Sequence, residues 1–178
     1  AYDNSAIYVG ASLYDSNPYE ILKELGPRDD QDKNTDMFGI FINPFNDGIN
    51  EFSFLVTAAG VQIDKRIVLT TDGYINELNW DAVWESEVII NEKGWFVEMK
   101  IPYSAIRFPN TKSQEWGLNI YRGLRRLRED YSWNYIDISK KHIGNQAGIL
   151  KGIENVESPT RLSFVPYVSS QVNEFDGD

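Results

Sequence analysis

The feature that most constrains the fold of this chain is the two-residue alternation of apolar and polar side chains in short runs. In residues 7–14 one parity is apolar, and a largely apolar parity recurs in residues 84–90 and 95–101. Successive side chains of a β-strand point to opposite faces, so this alternation is typical of strands with one face toward a core. The intervening Asn-Glu-Lys-Gly at residues 91–94 predicts a hairpin turn.

Similar runs follow one another along the chain, separated by Gly- and Asx-rich turns about every 8 to 12 residues. Further strands are predicted at residues 36–42, 49–57, 61–69, 116–127, 131–138 and 161–170. One short helix is predicted near residues 18–25, because Pro18 suits a first helical position and apolar residues then recur at helical spacing. The predicted fold class is all-β, an antiparallel β-sandwich of the jelly-roll kind with about eight to ten strands.

Composition narrows the functional classes. The chain has 178 residues, which suits one domain, and it contains no cysteine, which excludes disulfides, thiolate metal sites and thiol nucleophiles. Its one histidine, His142, disfavours a histidine-rich metal centre or a histidine-dependent triad. The net charge of -10 repels phosphate backbones and anionic membranes, so we expect no nucleic-acid partner. No apolar run approaches the roughly 20 residues of a membrane span, so we expect no membrane insertion by this segment.

Aromatic residues make up 13% of the chain and include five tryptophans. Indole and phenol rings pack in cores, but they also stack on the flat apolar faces of sugars. Trp95 and Trp116 lie on the apolar parity of strong strands and are predicted to be core residues, whereas Trp133 is predicted to belong to an exposed aromatic strip. The candidate carbohydrate-binding residues are Trp133, Tyr131 and Trp80, with Asp81 and Asn134 as polar neighbours. Ordinary packing is the alternative for each ring.

Oxygen ligands are concentrated between Asp29 and Asp47, and Ca²⁺ prefers six to eight oxygens from such irregular segments. The candidate metal ligands for a structural calcium ion are Asp36, Asn46 and Asp47. Their spacing does not match the twelve-residue calcium loop. Asx residues also form turns and cap helices without any metal, so that interpretation remains open.

A basic island of four arginines at residues 122–128 interrupts an otherwise acidic chain. It could hold an anionic ligand or an acidic partner surface, or it could neutralise surplus carboxylates through surface ion pairs, which we favour. A glycoside hydrolase is a further functional class to consider, and it needs two carboxyl groups in one cleft. Chance pairs such as Glu85 and Glu87 do not establish one, and no catalytic motif is present, so we predict no enzyme.

Eight stretches together resemble carbohydrate-binding module family nine, as found in front of bacterial outer-membrane β-barrel proteins. The most specific is the Trp-x-x-Glu-x-x-Ile-Pro pattern from Trp95 to Pro102. The stretches are residues 7–9, 28–29, 36–39, 45–48, 80–85, 94–104, 107–108 and 116–119.

The resemblance implies a β-sandwich that binds polysaccharide or oligosaccharide through an aromatic clamp without catalysis, with bound calcium in better-known members. It also implies a module over residues 1–165 that lacks its first strands, a linker beginning at residues 166–178, and a parent protein in the periplasm or outer membrane of a Gram-negative bacterium. Its partners would be glycan and the rest of its parent chain or an envelope protein. The alternative function is an interaction or structural domain of an outer-membrane assembly without sugar binding.

Overall fold

A computed structural model describes residues 1–71, 73–77, 80–140 and 144–159, together with residues 167 and 169. Within that part the chain forms ten strands. They are β1 Ala6–Tyr14, β2 Met37–Asn43, β3 Asn50–Thr57, β4 Gln62–Thr70, β5 Gly73–Glu77, β6 Glu85–Asn91, β7 Gly94–Pro102, β8 Ser113–Leu124, β9 Glu129–Ser132 and β10 Gly148–Glu154. Short 3-10 helices cover Pro18–Glu20, Tyr103–Ala105, Arg125–Leu127 and Gly144–Gln146. The strand predicted at residues 161–170 lies outside the described residues, apart from residues 167 and 169.

Two antiparallel sheets build the fold. The smaller sheet has the order β1-β7-β6, and the larger has the order β10-β8-β2-β3-β4-β5, with β9 also paired to β8. The prediction of an all-β antiparallel sandwich is confirmed. No helix in the described part of the chain is long and apolar enough to cross a membrane.

The core lies between the two sheets and is built from one parity of each strand. On β2 it takes Phe38, Ile40 and Ile42, which are all buried. The smaller sheet contributes Trp95 and β8 contributes Trp116, and both indoles are fully buried, as predicted. Because the core side of each strand carries these apolar residues, the alternate residues of the larger sheet face away from the smaller sheet.

The helical segment near residues 18–25 is shorter than predicted. Only Pro18–Glu20 is helical, and residue 23 pairs in an isolated antiparallel bridge with Thr35. The carbonyl of Leu22 accepts the N–H of Asp36 at 2.8 Å, so the backbone groups here bond to a neighbouring segment instead of within a helix. The apolar spacing that predicted a helix instead places Ile21 in the core.

Strand β10 was not predicted, and its sequence explains why. Gly148 and Gly152 lower the strand propensity of this segment, and Gly152 has a φ of 92° at an irregularity in the pairing with β8. The strand predicted at residues 131–138 is also shorter, since β9 ends at Ser132. The N–H of Trp133 still donates to the carbonyl of Ile120 on β8 at 2.9 Å. We call the described residues that follow β9, 133–140 and 144–147, the loop after β9.

Most of the basic island at residues 122–128 is engaged within the fold. Arg126 forms a bidentate pair with Asp15, with both N–O distances at 2.7 Å. Arg122 donates from Nη2 to the carbonyl of Tyr14 at 2.9 Å. These contacts tie β8 and the turn after it to the end of β1, in line with the ion-pairing interpretation.

Gly39 provides a test of how tightly the larger sheet is packed. A Cβ at Gly39 would lie 2.5 Å from the carbonyl oxygen of Phe54 and 2.7 Å from Cγ of Leu55, whereas a Cβ at Gly10 would meet no atom within 4 Å. We expect Gly39→Ala to lower the free energy of unfolding by about 1–3 kcal/mol and the control Gly10→Ala to change it by less than about 0.5 kcal/mol. Urea unfolding of the two variants measures this, and equal midpoints would contradict the packing described.

Candidate functional site

The predicted aromatic strip is exposed. Tyr131 on β9 is 51% exposed and Trp133, just after it, is 61% exposed. The indole lies directly over Gly148, where an added Cβ would come within 2.5 Å of its ring. The strip therefore lies along the edge of the larger sheet beside β8, with its rings open to solvent.

Asn134, predicted as a polar neighbour of that strip, anchors the loop instead. Its backbone N–H donates to Oδ1 of Asn119 at 3.0 Å, and its side-chain amide donates to the carbonyl of Gln146. The first bond joins the start of the loop after β9 to β8, and the second joins it to the end of the same loop. One of the two donors of the Asn134 side-chain amide is thus used within the protein.

The remaining two predicted residues lie elsewhere. Trp80 is partly buried against the core side of β3, with ring centroids 5.2 Å from Phe52 and 6.0 Å from Phe54. Asp81 forms an ion pair with Arg28 at 3.2 Å. Strand β3 is three strands from β9, or about 14 Å at the usual strand spacing. The five predicted carbohydrate-binding residues therefore form two separate groups.

The predicted calcium ligands are also separated. Asp36 immediately precedes β2, whereas Asn46 and Asp47 follow its other end, so about 20 Å of strand lies between them. Oδ1 of Asp47 accepts hydrogen bonds from the backbone N–H groups of Ile49 and Asn50 at 2.8 and 3.0 Å, which is typical of a turn-forming residue. These three residues do not fit one calcium ion, and the described residues hold no group of three or more carboxylate or histidine side chains placed so that they could bind a metal ion.

Asp36 itself is fully buried and has one unpartnered oxygen. The backbone N–H of Arg125 donates to its Oδ1 at 2.9 Å, while Oδ2 has no hydrogen-bond partner among the described residues. Burial raises the pKa of Asp36. The Asp15–Arg126 pair and Arg122 are its charged neighbours. The bond from Arg125 joins the residue before β2 to the residue after β8, so Asp36 has a structural role here.

A cavity of about 310 Å³ opens on the outward face of the larger sheet, the face that does not pack on the smaller one. We call it the outer-sheet pocket. Its floor is formed by side chains from five adjacent strands, and its walls are formed by β5, β9 and the loop after β9. The floor residues are Phe41, Glu51, Ile67, Asn76, Asn119 and Tyr121, and the wall residues are Tyr74, Ser132, Ile136, Gly144 and Ala147.

The described residues of the loop after β9, 133–140 and 144–147, line one side of this pocket through Ile136, Gly144 and Ala147. Besides the Asn134 anchor, the backbone N–H of Asp137 donates to Oε1 of Gln146 at 2.7 Å. The N–H of Gly144 donates to the Tyr74 hydroxyl on β5 at 2.8 Å. Loop and sheet edge are therefore joined across the top of the pocket.

A glycine turn supports the same loop from below. Gly48 has a φ of 65°, and an added Cβ would fall 1.4 Å from Oδ1 of Asn145. Only glycine allows the two segments this close approach. The turn at residues 46–48, which contains two of the predicted metal ligands, thus packs against the 3-10 helix Gly144–Gln146 beside the pocket.

The lining combines ring faces with a few fixed polar groups. Phe41 and Tyr121 are neighbours on β2 and β8, with ring centroids 6.3 Å apart and planes at 88°. The Tyr121 hydroxyl donates to Oδ1 of Asp130 at 2.6 Å, and burial together with this bond raises the pKa of Tyr121. The hydroxyl is thus oriented, and its oxygen still has acceptor capacity.

Glu51 is the one charged side chain among the described residues that line the pocket. It lies on β3 opposite Ile67 and is partly buried. Burial raises the pKa of Glu51 to about 7, from an ordinary value of 4.5. A carboxyl group with a raised pKa in a concave, largely apolar site is a typical feature of functional sites.

The sequence predictions did not include the pocket residues. The sequence does distinguish Glu51, because it is the only charged residue in the predicted strand at residues 49–57. Phe41 lay within a continuous apolar run in which the outward parity could not be distinguished. Their convergence with Tyr74 and Tyr121 depends on strand register, which the chain's alternation does not provide.

Comparisons with known proteins bear on the fold. No protein-family model matches the chain, and a search of the curated proteins finds no match. Among solved structures, a family 9 carbohydrate-binding module from Caldicellulosiruptor kristjanssonii in complex with cellotriose has a TM-score of 0.56 at 13% identity, covering 94% of this chain and 77% of that one. The module in complex with glucose has a TM-score of 0.58 at 14% identity, covering 89% and 77%.

A third similar structure comes from Bacteroides uniformis ATCC 8492, and its description as carbohydrate-binding is provisional. It has a TM-score of 0.56 at 14% identity and covers 74% of this chain and 67% of that one. At these identities the likeness shows the fold. The chain therefore has the fold of family 9 carbohydrate-binding modules, as the sequence resemblance implied.

Glu51 makes the stability of the fold depend on pH. Between about pH 4.5 and pH 7 the unfolded chain releases the Glu51 proton while the folded chain retains it, so this group lowers stability as pH rises. We expect Glu51→Gln to raise the free energy of unfolding at pH 8 by about 1–3 kcal/mol and to leave it unchanged at pH 4. Chemical unfolding at both pH values measures this. The exposed Glu87→Gln is the control, and a Glu51→Gln effect equal at both pH values would contradict the burial of Glu51.

Proposed function

We propose that this protein is a non-catalytic carbohydrate-binding domain that holds a sugar unit in the outer-sheet pocket. The observation that carries the proposal is the pocket itself, in which aromatic faces and fixed polar groups converge on one concave surface. Small-molecule sites are typically concave, mostly apolar and supplied with a few precisely placed polar groups.

The lining matches the two kinds of surface on a hexose. The C–H faces of the sugar ring can pack on the Phe41 and Tyr121 rings, which stand edge to face. Its hydroxyls can bond to one of the polar groups of the lining, such as the amide of Asn76 or the hydroxyl of Ser132. The cavity of about 310 Å³ lies at the small end of the usual range for ligand sites, roughly 300–1,000 Å³, which suits one sugar unit better than a long chain.

The solved structures support the choice of ligand class. Two of the similar structures hold cellotriose and glucose. We therefore propose glucose-containing oligosaccharides as ligands of this chain, bound through one terminal or accessible unit. Stacking would supply most of the affinity, and the polar groups would orient the ring.

A binding role accounts better for the pocket than a cleaving role. Glycoside hydrolysis ordinarily uses two carboxyl groups roughly 5–9.5 Å apart, one on each side of the scissile bond. The described lining presents one carboxyl group, Glu51. A single carboxyl among rings and amides can bind and orient a sugar.

The wider setting is also proposed. The resemblance in sequence to modules in front of outer-membrane barrels supports a cell-envelope protein, in the periplasm or at the outer membrane, as the parent of this domain. A structural calcium ion, if the domain holds one, requires ligands other than the set of Asp36, Asn46 and Asp47.

A pair of variants separates the pocket from the aromatic strip. Phe41→Ala removes the ring face at the floor of the pocket, and we expect it to weaken cellotriose binding by about tenfold or more, which equals about 1.4 kcal/mol. Trp133→Ala removes the most exposed indole and should change the affinity by less than about twofold. Isothermal titration calorimetry of cellotriose and glucose measures both.

A second variant, Asn76→Ala, tests the pocket without disturbing the fold, because Asn76 is exposed on β5. It should weaken binding by a few-fold with an unchanged melting temperature. Binding that survives Phe41→Ala and Asn76→Ala but is lost in Trp133→Ala would place the sugar on the strip. No binding of either sugar by the unsubstituted protein would refute the proposed ligand class.

A further inference from the structure

The outer-sheet pocket contains an unpaired carboxyl group that neutral sugar recognition does not require. The Glu51 side chain makes no hydrogen bond and no ion pair with any described residue, although it is partly buried in a mostly apolar cavity. Burying a charge without a partner costs stability, and proteins usually pair such groups. A destabilising group that is kept inside a binding pocket indicates a ligand that complements it.

Among the described residues, no cation lies beside the Glu51 carboxyl group. From β4 the residue opposite it is Ile67, and the same face of that strand carries Lys65, whose Nζ donates to Oε1 of Gln31 at 2.7 Å. From β5 and β8 the titratable groups facing the pocket are the phenols of Tyr74 and Tyr121. Both hydroxyls already bond within the protein.

The floor of the sheet also gives the carboxyl group a defined place relative to a bound ring. Glu51 on β3 and Asn76 on β5 flank Ile67 on β4, since both residues stand opposite it in the strand register. Phe41 and Tyr121 stand on the other side, on β2 and β8. A sugar ring packed on the aromatic pair therefore presents its opposite edge toward the carboxyl group and the amide.

We propose that the outer-sheet pocket selects a hexosamine unit, whose ammonium group pairs with the Glu51 carboxylate while its ring packs on Phe41 and Tyr121. This inference rests on the proposed function, since it assigns a ligand class to the same pocket. An ammonium group converts an unfavourable buried charge into a charge-assisted hydrogen bond, and such bonds are roughly twice as strong as neutral ones. A neutral hexose of the same size cannot make this pair.

Selection by charge also predicts a pH dependence of the preference. Near pH 5 the Glu51 carboxyl is protonated, because burial raises its pKa to about 7, so the amine gains no ion pair. Near pH 7 an amine with a pKa like that of an α-amino group, about 7.7–8.0, is still mostly charged. Pairing then favours the ionised carboxylate, and the hexosamine should gain affinity relative to the neutral sugar.

The experiment compares glucosamine, N-acetylglucosamine and glucose by isothermal titration calorimetry at pH 5 and pH 7. At pH 7 we expect glucosamine to bind at least about tenfold more tightly than glucose, with N-acetylglucosamine no better than glucose. At pH 5 the advantage of glucosamine should fall below about threefold. Glu51→Gln, which keeps the size and hydrogen-bonding capacity of the side chain, should abolish the advantage at both pH values.

Two controls make the outcome specific to Glu51. Glu87→Gln removes a carboxylate from the exposed face of the smaller sheet and should leave all affinities unchanged. His142 lies outside the described residues. Because a histidine side chain ordinarily changes its charge between pH 5 and 8, His142→Gln is the second control and should retain the preference for glucosamine. Equal affinity for glucose and glucosamine at pH 7 would overturn the inference and leave the proposed function intact. Failure of all three sugars to bind would overturn both.

Discussion

The rest of the structure depends on the fact that the smaller sheet covers only one face of the larger sheet. Side chains alternate along every strand, so half of the larger sheet's residues must face the other way. That outward face is not uniformly polar, because Phe41, Ile67 and Tyr121 lie on it. Apolar side chains in this position require a cover, and the loop after β9 provides it over part of the sheet. The uncovered remainder is the outer-sheet pocket.

The cover is held by hydrogen bonds to both ends of the sheet. At one end Asn134 bonds to Asn119 on β8, and at the other Gly144 bonds to Tyr74 on β5. Between them Gly48 allows the turn after β2 to support the loop from below. These contacts place the polar rim of the pocket without using the apolar side chains of its floor, Phe41 and Ile67. The floor and the rim can therefore serve a ligand while the anchors fix the shape of the pocket.

The sequence predicted the fold well because alternation is a local property. The hairpin at residues 84–101 and the buried positions of Trp95 and Trp116 follow from parity alone. The pocket could not be predicted in the same way, because it joins Phe41 to Tyr121 across strands that are about 80 residues apart in the chain. Parity tells which residues share a face of one strand, but only register tells which strands bring them together. The predicted exposure of Trp133 is confirmed, but exposure alone does not create a concave surface.

Glu51 connects the stability of the fold to its function. A glutamine or an apolar residue would suit this partly buried position better at neutral pH, so the carboxyl group weakens the fold where it stands. Natural proteins commonly retain such residues in binding sites, where the ligand completes the interaction. The most direct test of this account is a crystal structure of the protein with cellotriose. We expect a sugar ring in the outer-sheet pocket, in contact with Phe41 and Tyr121. A sugar bound across Tyr131 and Trp133, with the pocket empty, would contradict it.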